Sequence, residues 1–134
     1  MNILAIIPAR AGSKGVPNKN IRLLVQHPLL YYSIKNALQS KYITDVIIST
    51  DSNPVRIIAQ QMGAKVHWRD AELAGDEVTL DAVIYDAIPT DKQWDYVITM
   101  QPTSPTLTVG TLDSAIEYAI KSKLDTLISA INAP

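Results

Sequence analysis

The chain has 134 residues, of which 47% are hydrophobic and 19% are charged, and its formal net charge is -1. These proportions are ordinary for one globular domain and argue against a disordered chain. Cysteine is absent, which excludes disulfide bonds, thiolate zinc sites and cysteine nucleophiles. A chain without cysteine fits a reducing compartment, so we expect a cytoplasmic protein.

The small net charge conceals an uneven distribution. Residues 1–44 contain six basic residues and no acidic one, whereas residues 45–134 contain six basic and thirteen acidic residues, so the two segments carry +6 and -7. The basic segment lacks the alternation of cationic and aromatic side chains that is typical of nucleic-acid-binding surfaces. No apolar run is long enough to cross a bilayer. We therefore expect neither a nucleic-acid partner nor a membrane partner.

Apolar runs alternate with amphipathic runs along the chain. The opening run, residues 2–7, lacks the charged leader of a signal peptide, so we interpret it as a buried strand. In chain order the pattern predicts strand 2–7, loop 9–20, a helix that His27 and Pro28 open, strand 45–50, helix 54–62 ended by Gly63, strand 65–69, helix 79–88, strand 96–100, helix 109–121 and strand 126–131.

Strands separated by helices imply right-handed crossovers and a parallel sheet. The predicted fold class is α/β with three layers, meaning a Rossmann-like, mostly parallel sheet with helices on both faces. We expect residues 1–134 to form a single domain. Because the sequence stops directly after a predicted strand, we interpret it as the front part of a longer domain.

Ligands of such sheets bind beyond the carboxyl ends of the strands, and the first loop there is unusual. Residues 7–20 read Ile-Pro-Ala-Arg-Ala-Gly-Ser-Lys-Gly-Val-Pro-Asn-Lys-Asn. Gly12 and Gly15 let backbone amides approach a ligand, and Arg10 and Lys19 supply cationic donors with no carboxylate nearby. These features favour an anion such as a polyphosphate, with a solvated basic loop as the alternative. The spacing matches neither a Walker A loop nor a dinucleotide-binding fingerprint.

Two further loops end predicted strands with polar residues. Residues 49–51 are a polar cluster, and either Asp51 or Ser52 is suited to cap the following helix. Gln101 follows strand 96–100 and offers a hydrogen-bond donor and an acceptor, in a loop that two prolines stiffen.

The segment after strand 65–69 also contributes candidates at the same edge. Arg69 lies where it could face a ligand, and Asp76 or Thr79 could cap helix 79–88. His27 and His67 lack metal-ligand spacing, and we interpret both as structural or surface residues.

These motifs resemble those of the CMP-N-acylneuraminate synthetases, the acylneuraminate cytidylyltransferases. Residues 7–20 look like the signature loop of that family. The later motifs match in order and at compatible spacing, with Ser-Thr-Asp at 49–51, Arg-Asp-Ala-Glu-Leu-Ala-Gly-Asp at 69–76 and Gln-Pro-Thr-Ser-Pro at 101–105. The related KDO cytidylyltransferases typically carry a different first loop and Gln-Gly-Asp where this chain has Gln-Pro-Thr.

The resemblance implies a nucleotide-diphospho-sugar transferase type of fold and a reaction in which CTP and a nine-carbon 2-keto sugar acid give the CMP-sugar and pyrophosphate. It implies that Arg10 and Lys19 are the catalytic cations that hold the triphosphate. Gln101 matches a position that faces the sugar acid. The remaining positions that the resemblance assigns to the nucleotide pocket are Ala9, Ala11, Gly12, Ser13, Asn20, Arg69 and Thr79.

The resemblance also implies Mg²⁺ as cofactor and a homodimer of the full-length protein. In that family the metal-binding carboxylates, much of the sugar site and the dimer arm lie beyond the point where this sequence ends. We therefore predict that residues 1–134 alone bind CTP but have little or no transferase activity. A non-catalytic nucleotide-binding module is the alternative. N-acetylneuraminate, its deaminated analogue, legionaminate and pseudaminate all stay open as the sugar acid.

Overall fold

A computed structural model of the protein describes residues 1–9, 23–24, 27–69, 79–100 and 108–122. The elements in chain order are β1 (Ile3–Pro8), β2 (Leu23–Leu24), β3 (His27–Pro28), α1 (Leu29–Gln39), β4 (Asp45–Thr50), α2 (Asn53–Met62), β5 (Lys65–Trp68), α3 (Leu80–Ala87), β6 (Tyr96–Thr99) and α4 (Val109–Lys121). The predicted strand 126–131 lies outside the described residues. The other predicted strands and helices are confirmed, with ends that shift by two residues or fewer.

The four longer strands form one sheet in the order β5-β4-β1-β6. All three pairings in this sheet are parallel, and β1 lies between β4 and β6. The chain therefore runs outward from β1 through β4 to β5, and then returns to the other side of β1 to form β6. This arrangement is the parallel α/β sheet that the alternation of strands and helices predicts.

The side chains of β1 divide the core into two parts. Ile3, Ala5 and Ile7 belong to a larger cluster that α1, α2 and α4 cover. Leu4 and Ile6 belong to a smaller cluster on the opposite face, which α3 covers. A strand that is covered on both faces must be apolar at successive positions, which explains the continuous apolar run at the start of the sequence. The three predicted layers are confirmed.

The ends of the helices follow from local sequence. The hydroxyl of Ser52 accepts a hydrogen bond from the amide of Val55 at the start of α2, and Thr79 does the same for Ala82 in α3. Helix α2 ends at Gly63, whose φ of 94° lies in the left-handed region that glycine adopts without strain. These three residues confirm predictions made from cap and glycine preferences. Within the described residues, no helix combines the length and apolarity needed to cross a membrane.

The segment before α1 differs from its prediction. His27 and Pro28 do not lie in the first turn of the helix, because they form β3 and pair antiparallel with β2. A residue that precedes proline is pushed away from the helical region towards extended backbone, so His27 favours a strand over a helical turn. The helix therefore begins one residue later, at Leu29.

Candidate functional site

The carboxyl edge of the parallel sheet holds the described residues that directly follow the strands. Because the four strands are parallel, Ala9, Asp51, Arg69 and Met100 all lie at this edge. The helices return antiparallel to the strands, so their amino ends, which carry unpaired N–H groups and a partial positive charge, lie there too. Successive strands are added on one side of β1 as far as β5, and β6 is then added on the other side. Open α/β sheets bind ligands at such a reversal of strand order, here between β1 and β6.

Ser49 and Thr50, the last two residues of β4, hold the beginning of the loop that follows β1. The amide of Ala9 donates to the carbonyl oxygen of Ser49 at 2.9 Å. The hydroxyl of Thr50 donates to the carbonyl oxygen of Ala9 at 2.6 Å and accepts from the amide of Ser52 at 3.0 Å. Ser49 and Thr50 are fully buried. Both polar groups of the Ala9 backbone are therefore fixed by the end of β4.

Arg69 is fixed by the same two residues. Its amide donates to the carbonyl oxygen of Thr50 at 2.7 Å, which continues the pairing of β4 and β5. Its side chain folds back over β4, where Nε donates to the Ser49 hydroxyl at 3.2 Å and Nη2 donates to the Ser49 carbonyl oxygen at 3.0 Å. Only 3% of Arg69 is exposed. A buried guanidinium thus lies at the carboxyl edge of the sheet, beside the start of the first loop.

A single oxygen atom connects two residues of the predicted nucleotide pocket. The Ser49 carbonyl oxygen accepts from the Ala9 amide and from Arg69 Nη2, so these two donors are close neighbours. Thr79 is an exposed residue at the start of α3, and therefore at the same edge of the sheet, where its hydroxyl caps the helix. The structure brings Ala9 and Arg69 together and leaves Thr79 as a cap on the same side.

The other predicted site residues lie outside the described part of the chain. These are Arg10, Ala11, Gly12, Ser13, Lys19, Asn20 and Gln101. Their assignments stay predictions from the sequence.

Sequence reasoning missed the role of Ser49 and Thr50. Both were read as part of a polar cluster that leads into a helix, and the cap itself is made by Ser52. The available signal was that two consecutive hydroxyl residues end a strand that is otherwise apolar. A fully buried hydroxyl must find hydrogen-bond partners, and at a strand end the nearest partners are the loops that leave the neighbouring strands.

No group of three or more histidine or acidic side chains is placed to hold a metal ion in the part of the chain that the structure describes. His67 lies on β5 and pairs with Asp86 of α3, with 2.8 Å between Nε2 and Oδ2. This pair joins the edge strand to the helix that covers it, which fits the structural interpretation of His67.

The fold and the edge geometry define a class of protein. A parallel sheet whose strand order reverses between β1 and β6, with the ligand edge at the carboxyl ends of the strands, is typical of nucleotide-binding α/β proteins. The solved structure of CMP:2-keto-3-deoxy-manno-octonic acid synthetase has the same fold, with a TM-score of 0.76 and 21% identity over 92% of this chain and 49% of that one.

Sequence comparison narrows that class to one family. The profile of the family described as Cytidylyltransferase matches residues 4–132, and the chain belongs to this family. It is 42% identical over 122 residues to the CMP-N,N'-diacetyllegionaminic acid synthase of Legionella pneumophila, which covers 87% of this chain and 53% of that protein. It is 44% identical over 103 residues to the N-acylneuraminate cytidylyltransferase of Escherichia coli, which covers 77% of this chain and 25% of that protein. The chain therefore spans about half or less of these two relatives.

Proposed function

We propose that the protein is a cytidylyltransferase that activates a sialic-acid-like 2-keto sugar acid with CTP, and that residues 1–134 carry its nucleotide-binding part. The observation that carries this proposal is the contact of Ala9 and Arg69 on one carbonyl oxygen, at the ligand edge of a chain that belongs to the cytidylyltransferase family. The first of these residues begins the glycine-containing loop, and the second supplies a fixed positive charge beside it.

The proposed reaction is a transfer of the cytidylyl group. The anomeric hydroxyl of the sugar acid attacks the α-phosphorus of CTP in line and loses its proton. The bond between the α-phosphorus and the bridging oxygen breaks as the new bond forms, so that pyrophosphate leaves with the electron pair and the CMP-sugar remains. Catalysis of this kind depends mainly on positioning and on stabilising negative charge. Arg10 and Lys19 are the cations that we assign to the triphosphate.

The proposed sugar acid belongs to the sialic-acid-like class because of the relatives. The names of the Legionella and Escherichia proteins refer to a diacetyllegionaminic acid and to an N-acylneuraminate. Both compounds are acidic nine-carbon sugars, and we assign Gln101 to contact the sugar. The two names differ in the sugar itself, so a panel that includes N-acetylneuraminate, its deaminated analogue, legionaminate and pseudaminate is needed to identify the substrate.

Mg²⁺, a homodimer of the full-length protein and a cytoplasmic location are part of the same proposal. The described residues supply no ligand set for Mg²⁺, so no step of the reaction above is assigned to the metal.

The test compares the protein in the full length that its gene encodes with residues 1–134 alone. Each is supplied with CTP, Mg²⁺ and the panel of sugar acids, and the release of pyrophosphate and CMP-sugar is measured. We expect turnover with one or more sugar acids in the full-length protein. For residues 1–134 we expect CTP binding by calorimetry with little or no turnover.

Two results would count against the proposed function, and a third against the prediction for the shorter chain. A full-length protein that binds CTP but turns over no sugar acid of the panel would favour the non-catalytic binding module. A protein that binds no CTP in either length would remove the nucleotide site altogether. Robust formation of CMP-sugar by residues 1–134 would overturn the prediction for the shorter chain.

A further inference from the structure

We propose that Thr50 is a positioning residue of the nucleotide site, whose hydroxyl holds the backbone carbonyl of Ala9 in place beside Arg69. This inference rests on the proposed function, because Thr50 acts through the loop that we assign to CTP. Thr50 has no exposed surface, so it exerts its effect without touching the nucleotide.

The hydrogen bonds of Thr50 show how this positioning works. Its hydroxyl donates to the Ala9 carbonyl oxygen at 2.6 Å, and the Ser52 amide donates to the same hydroxyl at 3.0 Å. The amide of Ala9 is separately held by Ser49 at 2.9 Å. A peptide unit is planar, so fixing the Ala9 carbonyl fixes the plane that leads into the next residue. That next residue in the sequence is Arg10, the first cation assigned to the triphosphate.

Thr50 also connects the first loop to Arg69. Its carbonyl oxygen accepts from the Arg69 amide at 2.7 Å, while its side chain holds Ala9. Thr50 therefore holds both Ala9 and Arg69, the two residues that donate to the Ser49 carbonyl oxygen. Loss of the Thr50 hydroxyl would release the Ala9 carbonyl relative to Arg69, although β1 and β4 would stay paired in the same sheet.

Thr44 offers a matched control at the opposite end of β4. Its hydroxyl accepts from the Ile3 amide at 2.9 Å and donates to the Ile3 carbonyl oxygen at 3.0 Å, and its own amide donates to that oxygen at 2.9 Å. Thr44 thus joins β4 to the start of β1, as Thr50 joins β4 to the end of β1. The two threonines make the same kind of link, but only Thr50 lies at the ligand edge.

The experiment uses the full-length protein and the variants Thr50→Val, Thr50→Ser and Thr44→Val. Dissociation constants for CTP are measured by calorimetry, and the free energy of unfolding is measured by urea denaturation. Both valine variants remove a hydroxyl that joins β4 or its preceding turn to β1, and both should lower stability. We expect Thr50→Val to weaken CTP binding about tenfold, which is the size of effect that a lost hydrogen bond can have. Thr50→Ser keeps the hydroxyl and should bind CTP as the unaltered protein does, and so should Thr44→Val.

The outcomes separate this inference from the proposed function. If the unaltered protein does not bind CTP, the proposed function fails. If it binds CTP and Thr50→Val binds equally well, or if both valine variants lose the same affinity, then Thr50 is only structural and the inference is overturned. Should Thr50→Val fail to fold, Thr50→Ala takes its place with Thr44→Ala as its control, because it removes the same hydroxyl with a smaller side chain. Weaker CTP binding by Thr50→Ala alone would then support the inference, and unchanged binding would overturn it.

Discussion

Asp45 shows how a partly buried carboxylate is stabilised at the edge of the sheet opposite to the ligand edge. Its carboxylate, 12% exposed, lies 3.1 Å from Lys92 Nζ and 3.6 Å from Lys65 Nζ and accepts from the Thr44 hydroxyl at 3.0 Å. Burial alone would raise the pKa of Asp45. The hydrogen bonds from Lys92 and Thr44, together with the charges of the two lysines, outweigh burial and lower the pKa below its usual value.

This arrangement predicts how stability depends on pH. A carboxyl group whose pKa is lower in the folded state stabilises the fold above its unfolded pKa, near 3.8, and loses that contribution as the pH falls through the folded value. We expect Asp45→Asn to lower the free energy of unfolding by about 1 kcal/mol at pH 7. The difference from the unaltered protein should shrink below about pH 4.

Urea denaturation between pH 7 and pH 3 checks this prediction, with Asp91→Asn as the control. Asp91 is exposed and lies next to Lys92 in the sequence, so its replacement should change stability little at any pH. A difference between Asp45→Asn and the unaltered protein that stays constant down to pH 3 would contradict the charge-based explanation.

At the scale of single residues, the sequence predicted which residues lie near the site better than it predicted their burial and partners. Arg69 was identified as a candidate because it follows a strand, but nothing nearby in the chain indicates that it is 3% exposed. Its partner Ser49 lies 20 residues earlier, and only the parallel pairing of β4 with β5 brings the two together. Contacts distant in sequence are set by register, which composition does not encode.

At the scale of elements, two glycines in helical contexts have opposite expected effects on stability. Gly63 ends α2 with φ 94°, and a Cβ at this position would meet no atom within 4 Å, so any cost of a side chain comes from the backbone conformation. Gly110 is the second residue of α4, where a Cβ would meet the Thr108 hydroxyl at 3.8 Å, an ordinary contact distance. The first glycine is required by its conformation, whereas the second only weakens its helix.

We predict that Gly63→Ala lowers the free energy of unfolding by about 1 kcal/mol, because an L-residue is strained in the left-handed region. We predict that Gly110→Ala raises it by roughly 0.5–1 kcal/mol, because alanine loses less conformational freedom than glycine in a helix. Urea denaturation of both variants serves as the measurement, and each variant is the control for the other. Changes of the same sign in both would show that conformation at Gly63 is not what matters.

The elements were the most predictable level of this structure. Long apolar or amphipathic runs specified β1, β4, α2 and α4 almost to the residue, because burial on one or both faces imposes a clear period. The pair β2–β3 was missed, since two-residue strands carry no period and His27–Pro28 reads equally well as a helix start. Short elements depend on local turn geometry that the sequence pattern leaves open.

At the scale of the whole molecule, the described carboxylates explain part of the uneven charge. Four of them form hydrogen bonds at the amino edge of the sheet, with residues that lie just before a strand or just after α1. Asp45 binds Lys92, Asp95 binds the Asn2 amide, Asp113 binds the Ser40 hydroxyl and Glu117 binds the Tyr42 hydroxyl. Lys65 and Lys92 pair with Asp45, and Lys121 pairs with Glu117, so these carboxylates join neighbouring segments and do not form a negatively charged surface.

The excess of basic residues in the first 44 positions leads to a prediction about two of these cations. Arg10 follows Ala9 at the carboxyl edge, whereas Lys41 is an exposed residue of the turn that leads into β4, at the amino edge. Both replacements by alanine remove one positive charge, so they change the net charge equally. We expect Arg10→Ala to weaken CTP binding about tenfold or more, because it removes charge-assisted hydrogen bonds to phosphate. We expect Lys41→Ala to change the affinity less than about twofold, since charges beyond a Debye length of about 8 Å are screened.

Calorimetry of both variants in the full-length protein, at low and at physiological salt, distinguishes a local triphosphate site from a general attraction to a basic surface. A local site predicts that Arg10→Ala loses CTP affinity at both salt concentrations and keeps more of its affinity for the sugar acid. A general attraction predicts that Arg10→Ala and Lys41→Ala lose similar affinity at low salt and none at physiological salt. That second pattern, or an unchanged CTP affinity in Arg10→Ala, would mean that the charge of the first 44 residues is not organised around the loop after β1.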